Sequence, residues 1–189
     1  ESAVCARPAV TARADGGFTV VWNQRSEDPS ERWDIFGRAL DANGDSDAPA
    51  FQVNETSFGD QFLPRISNLG QNQLIVWSSM GKAGSKEGVF GRLATFAGVA
   101  GPEIQINTTT QGSQVHPVVA SDTQNRFLVA WSGFAGSTSF DLQGQQFKTT
   151  QPLPAPYSPQ VVALCSDSLE VSWNAIDSSE IAVDQVFID

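Results

Sequence analysis

One short pattern recurs along this chain and sets the terms of its fold. Phe18-Thr19-Val20-Val21-Trp22 returns as Gln73-Leu74-Ile75-Val76-Trp77, as Phe127-Leu128-Val129-Ala130-Trp131 and as Leu169-Glu170-Val171-Ser172-Trp173, with Trp spacings of 55, 54 and 42 residues. Each copy is a β-branched and aromatic run, the composition of a strand. In the first copy Phe18, Val20 and Trp22 share one face at period two. The flanks repeat as well. Pro8-Ala9-Val10 is matched by Pro64-Arg65-Ile66 and Pro117-Val118-Val119. Asp34-Ile35-Phe36-Gly37-Arg38 is matched by Gly88-Val89-Phe90-Gly91-Arg92 and Asp141-Leu142-Gln143-Gly144-Gln145. Phe51-Gln52-Val53-Asn54 is matched by Ile104-Gln105-Ile106-Asn107. Gln61 and Gln114 each stand three residues before the proline, a slot that Cys5 fills in the first unit.

Four short strands per unit at a period of roughly 40 to 55 residues is the pattern of propeller blades. One such sheet cannot bury its faces, whereas stacked sheets can. The expected fold is therefore all-β, a β-propeller-like array of four-stranded blades with three clear repeats and a fourth, divergent or partial unit. The repeats span about 8–63, 64–116 and 117–150. Leu74 and Val76, like Leu128 and Ala130, put apolar side chains on the second face as well, so these strands are expected to be buried on both sides. Trp22, Trp77, Trp131 and Trp173 are expected in the core. The recurring Gly37, Gly91 and Gly144 mark a bend or a close approach. Residues 151–158 form a Pro-rich linker. Residues 159–189 read as a fourth blade, or, through Val161–Leu164, Leu169–Trp173 and Val186–Ile188, as a segment that resembles the first half of a fibronectin type III module.

Composition limits the function classes. The net charge is -10, from 11 basic and 21 acidic residues. Nucleic acid and anionic membrane surfaces favour a positive field, so neither is an expected partner. No apolar run approaches the roughly 20 residues of a membrane helix. The opening Glu1-Ser2-Ala3-Val4-Cys5 has the look of a mature secreted product, and the sparse Lys fits the same compartment. There are two cysteines, Cys5 and Cys165. In a secreted chain they are expected to pair as a disulfide, with two buried thiols as the alternative.

Several candidate sites follow. Asp41, Asn43, Asp45 and Asp47 alternate on a turn, and a hard cation such as Ca²⁺ takes several oxygen ligands at about 2.3–2.6 Å. A plain Asn-Gly hairpin turn explains the same residues. No other cofactor is expected. Arg32, Trp33 and Asp34, with Asn23 and Gln24 across a polar loop, offer an aromatic face and planar polar groups, the equipment of a glycan site. Loops on a rigid scaffold are where binding is usually carried. His116 is the sole histidine and reads as a packing residue.

The repeat unit resembles repeats of large secreted bacterial proteins and is similar to those of sialidase-like β-propellers, over Pro8 to Phe147. That resemblance implies a propeller fold and, for a true sialidase, an arginine triad with a tyrosine nucleophile. Arg38, Arg65 and Arg92 are present, but the family's Ser-x-Asp-x-Gly-x-Thr-Trp box is not, and the single tyrosine, Tyr157, lies in the linker. With no catalytic constellation in view, the sequence predicts a non-catalytic extracellular module that binds glycan or a cell-surface protein. The alternatives are a sialidase- or glycosidase-like propeller enzyme and a structural segment of a larger adhesin.

Overall fold

The computed structural model describes residues 3–28, 30–46, 48–82, 86–122, 124–134 and 140–149, and the backbone of strands within 160–184. Every regular element among them is a strand. The first sheet has the order β1-β2-β3-β4, from β1 (Ala3–Ala12), β2 (Phe18–Ser26), β3 (Asp34–Leu40) and β4 (Phe51–Gln52). The second holds β5 (Gln61–Leu69), β6 (Asn72–Met80), β7 (Glu87–Thr95), β8 (Gly98–Val99) and β9 (Ile104–Gln105), with β8 and β9 both paired to β7. The third begins with β10 (Gln114–Ser121), β11 (Arg126–Phe134) and β12 (Phe140–Thr149). Its fourth strand is supplied from far along the chain by β15 (Ile181–Asp184), after a separate hairpin of β13 (Gln160–Cys165) and β14 (Ser168–Ser172). The linker, Trp173 and the C-terminal Val186-Phe187-Ile188 lie outside the described residues, and so does all that would separate a fourth blade from a fibronectin-type segment.

All pairings are antiparallel. β1 lies against β5, and β5 against β10, so the first strands of the three sheets form the hub of the array. Each hub strand carries the same irregularity. The register shifts between Ala6 and Ala9, between Phe62 and Arg65, and between Val115 and Val118. The residue before the proline is left-handed each time, with φ of 52° at Arg7, 57° at Leu63 and 57° at His116. Proline disfavours the right-handed helical region for the residue before it. An extra residue in one strand adds local twist and re-aims the chain.

Two cores lie between the sheets. One joins Val21, Ile35 and Val53 of the first unit to Ile66, Ile75, Trp77, Phe90 and Ala94 of the second. The other joins Leu74, Val76, Val89, Leu93 and Ile106 of the second to Phe127, Val129, Trp131 and Phe147 of the third. The middle sheet is therefore buried on both faces, as its doubly apolar strand requires. The same expectation fails for the third sheet, where Leu128 is 44% exposed. It faces away from the second sheet.

The Gln slot now has a role. Trp77 Nε1 donates to Gln61 Oε1 at 2.9 Å, and Trp131 Nε1 to Gln114 Oε1 at 2.8 Å, all four side chains buried. Cys5 cannot reproduce this bond. Trp22 turns instead to Gln24 Oε1 at 3.0 Å, stacks on Phe36 and stays only half-buried. The expectation of a fully buried Trp22 is corrected accordingly. The strand glycines are explained by close approach: a Cβ on Gly37 would meet the Phe51 ring at 2.8 Å, and one on Gly91 the Ile106 side chain at 3.0 Å.

Candidate functional site

A cavity of about 260 Å³ opens at one end of the first sheet, lined by Ala3, Gln24, Arg25, Ser26, Glu31, Arg32, Asp34 and Phe36. Its walls come from three segments. β1 brings Ala3, the end of β2 brings Gln24 to Ser26, and the polar loop with the start of β3 brings the rest. Register explains the meeting, since Ala3 is opposite Ser26 and Gln24 is opposite Asp34.

Asp34 is held by two donors. Asn54 Nδ2 reaches Oδ1 at 2.7 Å, and Ser57 Oγ reaches Oδ2 at 2.9 Å. The Asn54 side chain is itself fixed, because its Oδ1 accepts the Ile35 amide at 2.7 Å. Asn107 makes the same clamp on Val89 at 2.8 Å, so the recurring Gln-[Val/Ile]-Asn element ties down the third strand of its sheet. Glu31 carries the second carboxylate of the cavity and is exposed. Arg25 and Arg32 supply two guanidinium groups, and Phe36 an aromatic face.

Three of the five residues expected to bind ligand, Gln24, Arg32 and Asp34, thus share one cavity. The other two do not line it. Asn23 is buried, donating through Nδ2 to the Gln61 carbonyl at 2.5 Å and accepting the Leu63 amide at 3.3 Å. It clamps the second hub strand at its left-handed residue, because odd positions of β2 face the second sheet. Trp33 is half-buried, with the Arg25 guanidinium 5.2 Å from its ring centre, its amide on Asp60 Oδ1 at 3.2 Å and its carbonyl taken by the Gln61 amide at 2.7 Å. It is a joint between sheets. Arg25, Glu31 and Phe36 were not singled out from the sequence. Phe36 could have been, since it alternates with the core residue Ile35; a polar loop offers no periodicity by which to pick Glu31.

At the expected Ca²⁺ site the Asp41 carboxylate serves the turn itself. Oδ1 accepts the amides of Asn43 at 2.9 Å and Asp45 at 2.8 Å. These bonds, that from Asp45 foremost, hold the Asp41 carboxyl below its ordinary pKa. Asp47 lies outside the described residues, and among those described no group of three or more His, Cys, Asp or Glu comes together to hold a metal. Cys5 is an exposed free thiol, with Gln24 Oε1 3.8 Å from its sulfur. The Cys165 side chain is not among the described ones, so the expected pairing is not shown.

No family model matches the chain, and none of the curated proteins does. Solved structures do. The fold is similar to a family 117 glycoside hydrolase produced by the marine bacterium Zobellia galactanivorans, with a TM-score of 0.50 and 9% identity over 99% of this chain and 70% of that one. It also matches an endo-arabinase from Bacteroides thetaiotaomicron (TM-score 0.49, 10% identity, 96% of this chain and 75% of that one). A thermostable family-43 glycoside hydrolase matches in the same way (TM-score 0.49, 11% identity, 98% and 72%). This chain has a β-propeller-like fold. The expectation of a non-catalytic binding module is corrected by the first of these findings, since the family 117 structure is a glycoside hydrolase and favours the enzyme alternative.

Proposed function

We propose that the chain is a propeller of the glycoside hydrolase kind acting on glycans outside the cell, with Glu31 and Asp34 as its carboxylate pair. One observation carries the proposal: Glu31 and Asp34 line a single cavity together with Arg25, Arg32 and Phe36. Glycoside hydrolysis needs one carboxylic acid to protonate the leaving oxygen and one carboxylate to act as base or nucleophile across the bond. Asp34, fixed in place by its bonds from Asn54 and Ser57, is assigned the base or nucleophile role. Glu31, at the mouth, is left the proton donor's role. Arg25, Arg32 and Gln24 offer donors to sugar hydroxyls, and Phe36 a face for a sugar ring. The fold supports the reading, since the family 117 enzyme it resembles is a glycoside hydrolase.

The test is reducing-sugar release by the purified chain from arabinan, agarose and a panel of chromogenic glycosides. Turnover lost in both Asp34→Asn and Glu31→Gln supports the assignment. Turnover that survives both substitutions moves the chemistry elsewhere, and no turnover on any substrate ends the proposal.

A further inference from the structure

The loop that leads from the first sheet into the second has a twin between the second and the third. Residues 54–61 and 107–114 are equal in length and bonded alike. Asn54 Nδ2 donates to the Thr56 carbonyl at 3.2 Å, and Asn107 Nδ2 to the Thr109 carbonyl at 2.9 Å. Gln61 Nε2 reaches the Phe58 carbonyl at 3.0 Å, and Gln114 Nε2 the Gln111 carbonyl at 3.1 Å. Gly59 and Gly112 are left-handed in both, at 72° and 75°. The Met80 amide closes the first loop on the Asp60 carbonyl and the Phe134 amide the second on the Ser113 carbonyl, each at 2.8 Å.

The side chain at the tip differs. Phe58 stands where the twin has Gln111. Since Gln111 sits in the same backbone with the same bonds, the loop does not need an apolar residue there. The Phe58 ring is nevertheless 69% exposed. It lies against Gly81, where a Cβ would stand 3.4 Å from Phe58 Cε1, and Met80, the residue before Gly81, is 45% exposed. This loop lies between two described sheets, and its backbone is pinned, so a ligand on the ring would have little left to order.

The loop also reaches the cavity. Ser57, next to Phe58, donates to Asp34 Oδ2 at 2.9 Å and accepts from Gln52 Nε2 at 3.2 Å. Asp34 lines the cavity. A sugar has a face of C–H groups and a rim of hydroxyls, and an aromatic face among amides, hydroxyls and carboxylates matches both. An apolar protein segment would call for a broad contiguous apolar patch. Phe58 is instead bordered in the chain by Thr56, Ser57 and Asp60. Glu55 and Asp60 on the same loop, in a chain of net charge -10, disfavour an anionic polymer.

We propose that Phe58 is a stacking platform for a sugar beyond the one in the cavity, so that the site takes a neutral polysaccharide chain and not a lone glycoside. The proposal rests on the glycoside hydrolase reading for where that chain is cut, and on the loop for where it binds.

Isothermal titration with neutral arabino- and agaro-oligosaccharides of increasing length, from disaccharide to hexasaccharide, tests this. Affinity for one series should rise with length. Phe58→Gln, which copies the twin loop, should weaken the hexasaccharide about tenfold and the disaccharide by less than about twofold. Phe58→Trp should bind as the native chain does. A native chain that binds neither series overturns the proposal, and so does Phe58→Gln that binds as native or loses affinity equally at every length. Turnover of the polysaccharide is followed beside binding. Turnover with binding indifferent to Phe58 sinks the platform and leaves the hydrolase reading standing; length-dependent binding through Phe58 without turnover does the reverse. If Phe58→Gln melts early, Phe58→Tyr and Phe58→Leu replace it: Tyr should keep the long ligand, and Leu binding it as well as Phe does overturns the proposal.

Discussion

Gln114 Oε1 accepts the indole N–H of Trp131 at 2.8 Å with both side chains buried, and Gln61 does the same for Trp77 at 2.9 Å. A buried indole donor left unpaired costs about 1–3 kcal/mol. Gln114→Leu is close to isosteric and removes the acceptor, together with the amide N–H that Gln114 donates to the Gln111 carbonyl at 3.1 Å. It should lower the unfolding free energy by about that amount in urea. A change well below 0.5 kcal/mol would mean that the indole finds water instead.

Gly112 has φ of 75°, and a Cβ there would stand 1.7 Å from the Phe134 carbonyl oxygen; Gly59 repeats this against Met80 at 1.8 Å. The obstacle is backbone, held by the Phe134 amide bonding to the Ser113 carbonyl at 2.8 Å, so it cannot swing aside. Gly112→Ala should cost at least about 3 kcal/mol or prevent folding. Gly44, also at positive φ but with nothing near, should lose only conformational strain as Gly44→Ala. Thermal melts of the two variants side by side measure the contrast.

His116 is exposed and left-handed at 57°. The left-handed region costs a non-glycine residue about 1–2 kcal/mol, while glycine brings its own entropy cost of about 0.5–1 kcal/mol. His116→Gly is therefore expected to raise stability by up to about 1 kcal/mol, read by denaturant titration. A loss of stability would show that the imidazole makes a contact that outweighs its backbone strain.

The Asp41 carboxyl is lowered by the Asp45 amide and its neighbours, so its folded pKa lies under the unfolded one. A depressed carboxylate contributes stability above the unfolded pKa and loses it as the pH falls through the folded one. Asp15, lowered first by its bond to Arg13, acts in the same direction. Melting temperature should fall on acidification below about pH 4. The acid limb should be shallower in Asp41→Ala, and an unchanged limb would remove Asp41 from the account.

The array was legible in the sequence because strand period and repeat period are both carried by large apolar residues, and those are what the cores between sheets are made of. The slot of Gln61 and Gln114 was visible as a recurrence, but its purpose was not, since nothing in a sequence says that a residue three before a proline lies against a tryptophan sixteen or seventeen further on. Part of the cavity was legible too: Gln24, Arg32 and Asp34, three of its eight lining residues, were grouped by the hairpin-like return of the chain. Asn23 was misplaced by one strand alternation, which sends neighbours to opposite faces. Glu31 was missed because a loop has no period. The exposed Leu128 was misjudged because an apolar face predicts burial but does not name what buries it.

The three shifts in register ahead of Pro8, Pro64 and Pro117 divide the molecule into parts under unequal constraint. The hub is geared: each tooth has one length and one hand, and a residue gained or lost there would throw three sheets out of step. The rim has no such gearing. The loop from Glu27 to Arg32 belongs to the rim, so it can lengthen, shorten or change its chemistry while the hub keeps time. New specificity in a molecule of this build would therefore arise by editing the rim, without refolding the hub.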